Sequence, residues 1–128
     1  MVWYLDTSAF LKLIIAEDES SAMREWFSSH QPIWSSQVLH TEALRAGVRL
    51  GIDIDVVEDA LESVSMVLPS VATFFAAGRL APMSLRSLDA LHLATALEIG
   101  DDLEAFIAYD ERLLDAARVA SLSVVTPE

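Results

Sequence analysis

The sequence predicts an α/β fold with a central, mostly parallel sheet of four or five strands, on three observations. Short apolar runs alternate along the chain with longer segments whose apolar residues recur at helical spacing, the rhythm of strand–helix–strand units. Carboxylates follow two of those runs directly, at Asp6 and Asp110, and ligands of open α/β sheets bind in the crevice at the carboxyl ends of the strands. The chain has 128 residues, 53% of them hydrophobic, and no cysteine, so residues 1–128 are expected to form a single domain whose core needs no disulfide.

Val2 to Leu5 is the first strand, an apolar run with an aromatic pair, and Phe10, Leu11, Leu13, Ile14 and Ile15 form the apolar side of the helix after it. Glu17-Asp18-Glu19 with Ser20-Ser21 reads as a turn and helix start, with Met23, Trp26 and Phe27 at helical spacing. Pro32 breaks that pattern before a short strand at Ile33-Trp34. Val38 to Leu50 is a helix with Gly51 as its C-terminal stop, and Asp53 or Asp55 caps the next, which runs through Val56, Val57, Ala60, Leu61 and Val64. Ser65 to Leu68, ahead of Pro69, is an edge strand, followed by a short helix ending near Gly78. Pro82-Met83-Ser84 opens the longest helix, Leu85 to Ile99, which Gly100 closes. Ala105 to Ala108 is a strand, Asp110 to Ala117 a helix, and Leu122 to Val125 the last strand.

Twenty acids against eight basic residues give a formal charge of −12. That sign opposes long-range attraction to nucleic acid, so a polyanionic substrate must be met locally, through cations, while a basic protein partner is favoured. No segment reaches the roughly 20 apolar residues of a membrane-spanning helix, and the opening has no secretory pattern. The expectation is a soluble protein of the cytoplasm.

Four acids stand in apolar surroundings. Glu42 lies four residues after Val38 and four before Ala46, and Asp89 four after Leu85 and four before Leu93, so helical geometry turns both toward faces expected to be buried. Asp110 repeats the strand-end placement of Asp6. An isolated buried carboxylate pairs, shifts its pKa or binds a cation. Taken singly, each has a local explanation: Glu42 with Arg45, Asp89 with Arg86, Asp110 as a helix cap. Taken together they point to one shared metal site. A set of oxygen donors without cysteine suits Mg²⁺, with Mn²⁺ as the other candidate, and the implied chemistry is phosphoryl hydrolysis.

Tyr4-Leu5-Asp6-Thr7-Ser8-Ala9, Thr41-Glu42-Ala43-Leu44-Arg45, the run from Leu88-Asp89 to Ala96, Tyr109-Asp110-Glu111-Arg112-Leu113 and the ending Leu122 to Pro127 together resemble the PIN-domain ribonucleases, specifically the VapC-type toxins of bacterial and archaeal toxin–antitoxin pairs. The resemblance implies a PIN-like three-layer α/β/α fold in which Asp6, Glu42, Asp89 and Asp110 meet at the strand ends to hold Mg²⁺. It implies an endoribonuclease cutting structured RNA, tRNA or rRNA, a VapB-type antitoxin that blocks the site, and a homodimer. Ser8, with Thr7 beside it, matches the hydroxyl that follows the first acid in this family; Ser8 would place water or metal, or else cap the first helix.

Three other readings remain at this level. Lys12, His40 and His92 form a potential histidine-based acid/base set, although His92 better fits a packed position or a donor behind a ligand. An aspartyl-phosphate phosphohydrolase would also put Asp6 after strand one, but wants an acid where Ser8 stands. The acidic pocket would alternatively be a non-catalytic docking site for a basic protein. Trp3, Trp26, Phe27, Trp34, Phe74 and Phe75 are expected mainly in core and interface, with Trp26-Phe27 a potential antitoxin groove; Arg45, Arg49, Arg79, Arg86 and Arg112 are candidate phosphate contacts.

Overall fold

In the computed structural model, which describes residues 1–128, five strands pair in parallel throughout: β1 (Val2–Leu5), β2 (Ile33–Ser36), β3 (Ser65–Val67), β4 (Leu103–Ile107) and β5 (Val124–Val125). Their spatial order is β3-β2-β1-β4-β5. The chain therefore builds outward on one side of β1 and then crosses back to its other side with β4. The gap between the carboxyl ends of β1 and β4 is the topological switch point where such sheets bind ligands.

Period-two alternation divides β1 and β4 between two faces. Leu5, Ala105 and Ile107 join Ile33 on one face under α1 (Thr7–Ile14), α2 (Ser20–Ser29), α3 (Val38–Arg49) and α4 (Ile54–Leu61), contributed by Phe10, Met23, Leu39 and Val57 among others. Tyr4, Phe106 and Ala108 point to the opposite face, against α6 (Ser87–Ile99) and α7 (Glu111–Val119). The rings of Tyr4 and Phe106 stack there with centroids 5.4 Å apart. Each large side chain buried in these two cores stabilises the fold by about 1.5–3 kcal/mol. The remaining helix, α5 (Val71–Gly78), packs Ala77 onto Ala90, Leu91 and Ala94 of α6. The result is the three-layer α/β/α arrangement that the resemblance implies.

Local chemistry accounts for the boundaries. β2 runs two residues beyond Ile33-Trp34 because Ser35 and Ser36 are buried there with their hydroxyls satisfied, Ser35 donating to the Leu5 carbonyl and Ser36 accepting from the Val38 N–H. Asp53, not Asp55, caps α4, accepting from the Asp55 N–H at 2.8 Å. Gly51 stands past the end of α3 with φ +74°, a conformation that costs a side-chain-bearing residue energy. Within α3, Gly47 lets α4 approach: an added Cβ would lie 2.8 Å from Cγ2 of Val57.

Three expected boundaries are corrected. The longest helix starts at Ser87, not Leu85, because Arg86 takes an extended conformation (φ −65°, ψ 150°) as the residue preceding it. Asp110 lies outside α7 as its cap. The last strand shrinks to Val124–Val125, which pair with Phe106 and Ile107 at the end of β4. Among the aromatics, Trp3, Trp26 and Phe27 pack against the core, whereas Phe74 and Phe75 lie exposed on α5.

Candidate functional site

Asp6, Thr7, Ser8, Glu42, Arg86, Ser87, Asp89 and Asp110 line one cleft at the carboxyl ends of β1 and β4, with Leu11 and Leu88. All four acids singled out in the sequence are thus brought together, although they come from positions far apart in the chain. The register explains the first and last: Leu5 pairs with Ile107, the Asp6 N–H donates to the Ile107 carbonyl at 3.1 Å, and both strands end beside each other. Glu42 reaches the cleft from the second turn of α3 and Asp89 from the first turn of α6.

Asp6 is only 2% exposed and caps α1. Its Oδ1 accepts from the Ala9 N–H at 2.9 Å and the Ser8 hydroxyl at 2.7 Å, and no cationic side chain pairs with it. Burial pushes its carboxyl from about 3.8 up to about 6; His92, the Ala9 N–H and the Ser8 hydroxyl pull it down without cancelling that rise. The helix-capping role considered for Ser8 belongs to Asp6. Ser8 instead holds the Asp6 carboxylate while accepting from the Tyr109 N–H at 3.0 Å, which ties the ends of β1 and β4 together. With its hydroxyl so committed, Ser8 does not offer the second acid that an aspartyl-phosphate enzyme requires.

Glu42 is held differently. Its Oε1 accepts from the Thr7 hydroxyl at 2.7 Å and lies 2.8 Å from Nε2 of His92. The Tyr4 hydroxyl stands 2.7 Å from Nδ1 of the same ring, and burial keeps that phenol protonated. A Tyr4 hydroxyl donating to Nδ1 leaves Nε2 as the protonated nitrogen, so the donors run in one direction toward Glu42. Burial works against the Glu42 charge, but His92 and Thr7 outweigh it and hold the carboxyl below the usual range. His92 is fully buried, in the packed position expected of it, and its partner is Glu42 rather than Lys12 or His40. Lys12 pairs with Glu17 and Glu19, and His40 lines a separate cleft with Glu58 and Glu62. A three-residue acid/base set is therefore not assembled. Replacing His92 by alanine removes a donor from Glu42, orphans the Tyr4 hydroxyl and opens a cavity. The expected cost is about 2–4 kcal/mol in urea unfolding, and a stability equal to the parent would contradict this reading.

Asp89 and Asp110 share a cation. Arg86 donates from Nε to Oδ2 of Asp89 and from Nη2 to Oδ2 of Asp110, both at 3.0 Å, while Oδ1 of Asp110 accepts from the Leu113 N–H at 3.1 Å. The pairing of Asp89 with Arg86 and the capping by Asp110 are the local roles considered for each acid; Glu42 has His92 in place of Arg45. Arg86 is the one candidate arginine that lines the cleft, and its side chain is 73% exposed, so each ion pair is worth about 0–1 kcal/mol.

With the side chains in these positions, no three acids or histidines stand close enough to hold one ion among them. The donor chemistry nevertheless fits a hard divalent cation: carboxylate and hydroxyl oxygens with no sulfur, and one carboxylate, Asp6, buried, unpaired with any cationic side chain and raised in pKa by that burial.

The sequence model of the family described as PIN domain matches residues 3–119. Ribonuclease VapC46 of Mycobacterium tuberculosis is 37% identical over 125 residues, which cover 97% of this chain and 96% of that one. Among solved structures, VapC20 of Mycobacterium tuberculosis, described as a sarcin–ricin loop cleaving toxin, superposes with a TM-score of 0.78 at 17% identity, covering 98% of this chain and 99% of its own. A toxin–antitoxin complex from Klebsiella pneumoniae gives 0.75 at 20% identity, with 98% and 97% covered. At these identities the two structures speak to the fold alone.

Proposed function

The chain belongs to the VapC-type ribonucleases of the PIN-domain family, and from that premise we propose that residues 1–128 form a single metal-dependent endoribonuclease domain, the toxin of a type II toxin–antitoxin pair. The observation that carries this reading is the cleft itself: four carboxylates, from the caps of α1 and α7 just past β1 and β4 and from α3 and α6, gathered at the switch point of the sheet. Asp6, Glu42, Asp89 and Asp110 are the residues that would hold Mg²⁺ or Mn²⁺. A divalent ion bound there supplies Lewis-acid polarisation of a phosphodiester and activates water for attack at neutral pH.

The chain's own groups do the positioning. Ser8 and the Ala9 N–H fix the Asp6 carboxylate, Thr7 and His92 fix Glu42, and the Leu113 N–H fixes Asp110, so three of the four acids are oriented by donors other than Arg86 before any substrate arrives. Such prior orientation reduces how far these carboxylates must reorganise to bind an ion. With a charge of −12, attraction for RNA must come from the occupied cleft rather than from the surface at large.

The same charge supports a basic partner, and membership among the VapC-type ribonucleases supports one of VapB antitoxin type. The exposed Val71, Phe74 and Phe75 of α5 support a homodimer. No helix is long and apolar enough to cross a membrane, which is compatible with action on tRNA or rRNA in the cytoplasm.

The test is mapping of RNA ends after purified protein meets total RNA with Mg²⁺. Hydrolysis by water leaves the 2′-hydroxyl uninvolved, so discrete cuts bearing no cyclic phosphate are expected. Cuts ending in 2′,3′-cyclic phosphate would overturn the water mechanism.

A further inference from the structure

Arg86 sits where three facts meet. It is the one cation lining a cleft that four carboxylates also line. Its guanidinium bridges two of those carboxylates, Asp89 and Asp110, with two different nitrogens. Its backbone is anchored, because its carbonyl accepts the first bond of α6 from the Ala90 N–H at 2.8 Å, whereas its side chain is mostly in solvent. A guanidinium held only by exposed ion pairs exchanges partners readily, and a phosphate offers it the same two-oxygen geometry as a carboxylate.

We propose that Arg86 is a phosphate-positioning residue that alternates between the carboxylates of Asp89 and Asp110 and a phosphate of the RNA backbone. This rests on the metal-dependent reading above. A divalent ion and Arg86 compete for the same two carboxylates, so loading the site turns the guanidinium outward. Anchored at the start of α6, it stays at the mouth of the cleft, where a phosphate approaching the acids must pass. The residue thus works in both states: it neutralises two acids that would otherwise repel each other, and it then supplies the one fixed positive charge that an acidic protein can offer its substrate at that point.

The experiment compares wild type, Arg86→Ala and Arg86→Lys in two measurements, Mn²⁺ binding by the loss of the free-ion EPR signal and steady-state cutting of a short RNA. Removing the competitor should tighten Mn²⁺ binding by about five- to thirtyfold in Arg86→Ala. The same variant should raise KM for RNA by about tenfold with kcat little changed, the mark of lost binding that is shared by ground and transition states. Arg86→Lys, a point charge without the planar fork of two separate nitrogens, should recover part of each effect. A purely structural role predicts the reverse in the first measurement, because an acid pair that had lost its organiser would bind Mn²⁺ more weakly. Weaker or unchanged Mn²⁺ binding in Arg86→Ala, or an unchanged KM, overturns the proposal while leaving metal dependence standing. Absence of Mn²⁺ binding by wild type would overturn the metal reading and this proposal together.

Discussion

Asp6→Asn is expected to abolish RNA cutting and to make the protein more stable. The loss follows from its place in the lining of the cleft: changing a residue that merely supports a metal ligand commonly costs about 10–100-fold, so losing the buried charged ligand itself should cost more than about 100-fold. The gain follows from burial. A carboxyl raised from 3.8 to about 6 prefers the protonated state in the folded protein, so its ionisation at neutral pH opposes folding by about 3 kcal/mol. Asparagine keeps an oxygen for the Ala9 N–H and can donate to the Ser8 hydroxyl, so the hydrogen bonds survive without the charge. The sign gives a further check. A folded-state pKa above the unfolded one means stability that is full below about pH 4 and lost as pH rises through about 6. Urea unfolding of both proteins in EDTA should therefore show Asp6→Asn gaining on wild type across that window. Glu42, whose carboxyl is lowered, contributes the opposite slope only at lower pH and in both proteins alike. A variant that cuts RNA normally, or that is less stable than wild type at pH 7.5, would remove Asp6 from the role given to it.

Much of this site was legible in the sequence because of how strands and helices arrange side chains. Asp6 and Asp110 declare themselves by ending apolar runs, and parallel pairing of β1 with β4 makes the two ends neighbours. Glu42 and Asp89 declare themselves by standing on apolar helical faces, where a charge needs a reason. The second layer was much less legible. The link from Tyr4 through His92 to Glu42 joins residues 88 and 50 positions apart, and neither spacing carries any periodic signal. Ser8 to Tyr109 spans 101 positions in the same way. The signal that was available for His92 was its place one turn after Asp89, on a helix whose other residues there are Leu, Ala and Thr, which marks burial but not a partner. Arg86 was legible as a partner of Asp89 at a spacing of three, but its second bond to Asp110 exists only because α6 and α7 both start at the same edge of the sheet. The misplaced start of α6 has the same origin, since Leu85 continues the apolar pattern of the helix while the backbone of Arg86 is extended at the cleft.

Removal of divalent ions should abolish cutting, and Mg²⁺ or Mn²⁺ should restore it. The argument does not depend on which acids touch the ion. Four carboxylates with a single exposed arginine among them leave the cleft strongly negative, and a phosphodiester cannot approach unless that charge is met. Restoration should be poor with Ca²⁺, whose larger and looser coordination shell holds water and phosphate less rigidly than Mg²⁺ does. Stability supplies an independent readout. An ion at about 100 times its Kd stabilises the state that binds it by about 2.7 kcal/mol, so Mn²⁺ should raise the melting temperature of wild type by several degrees. In Asp6→Asn that rise should shrink or vanish, although the variant starts from the higher melting point. Cutting that persists in EDTA would refute metal dependence, whereas a melting-point rise of equal size in both proteins would refute only the part assigned to Asp6. The two outcomes differ because one concerns what the cleft needs and the other which carboxylate provides it. The buried, unpaired Asp6 is where the structure concentrates the unmet charge, so the ion's stabilising effect should be largest where that carboxylate is intact.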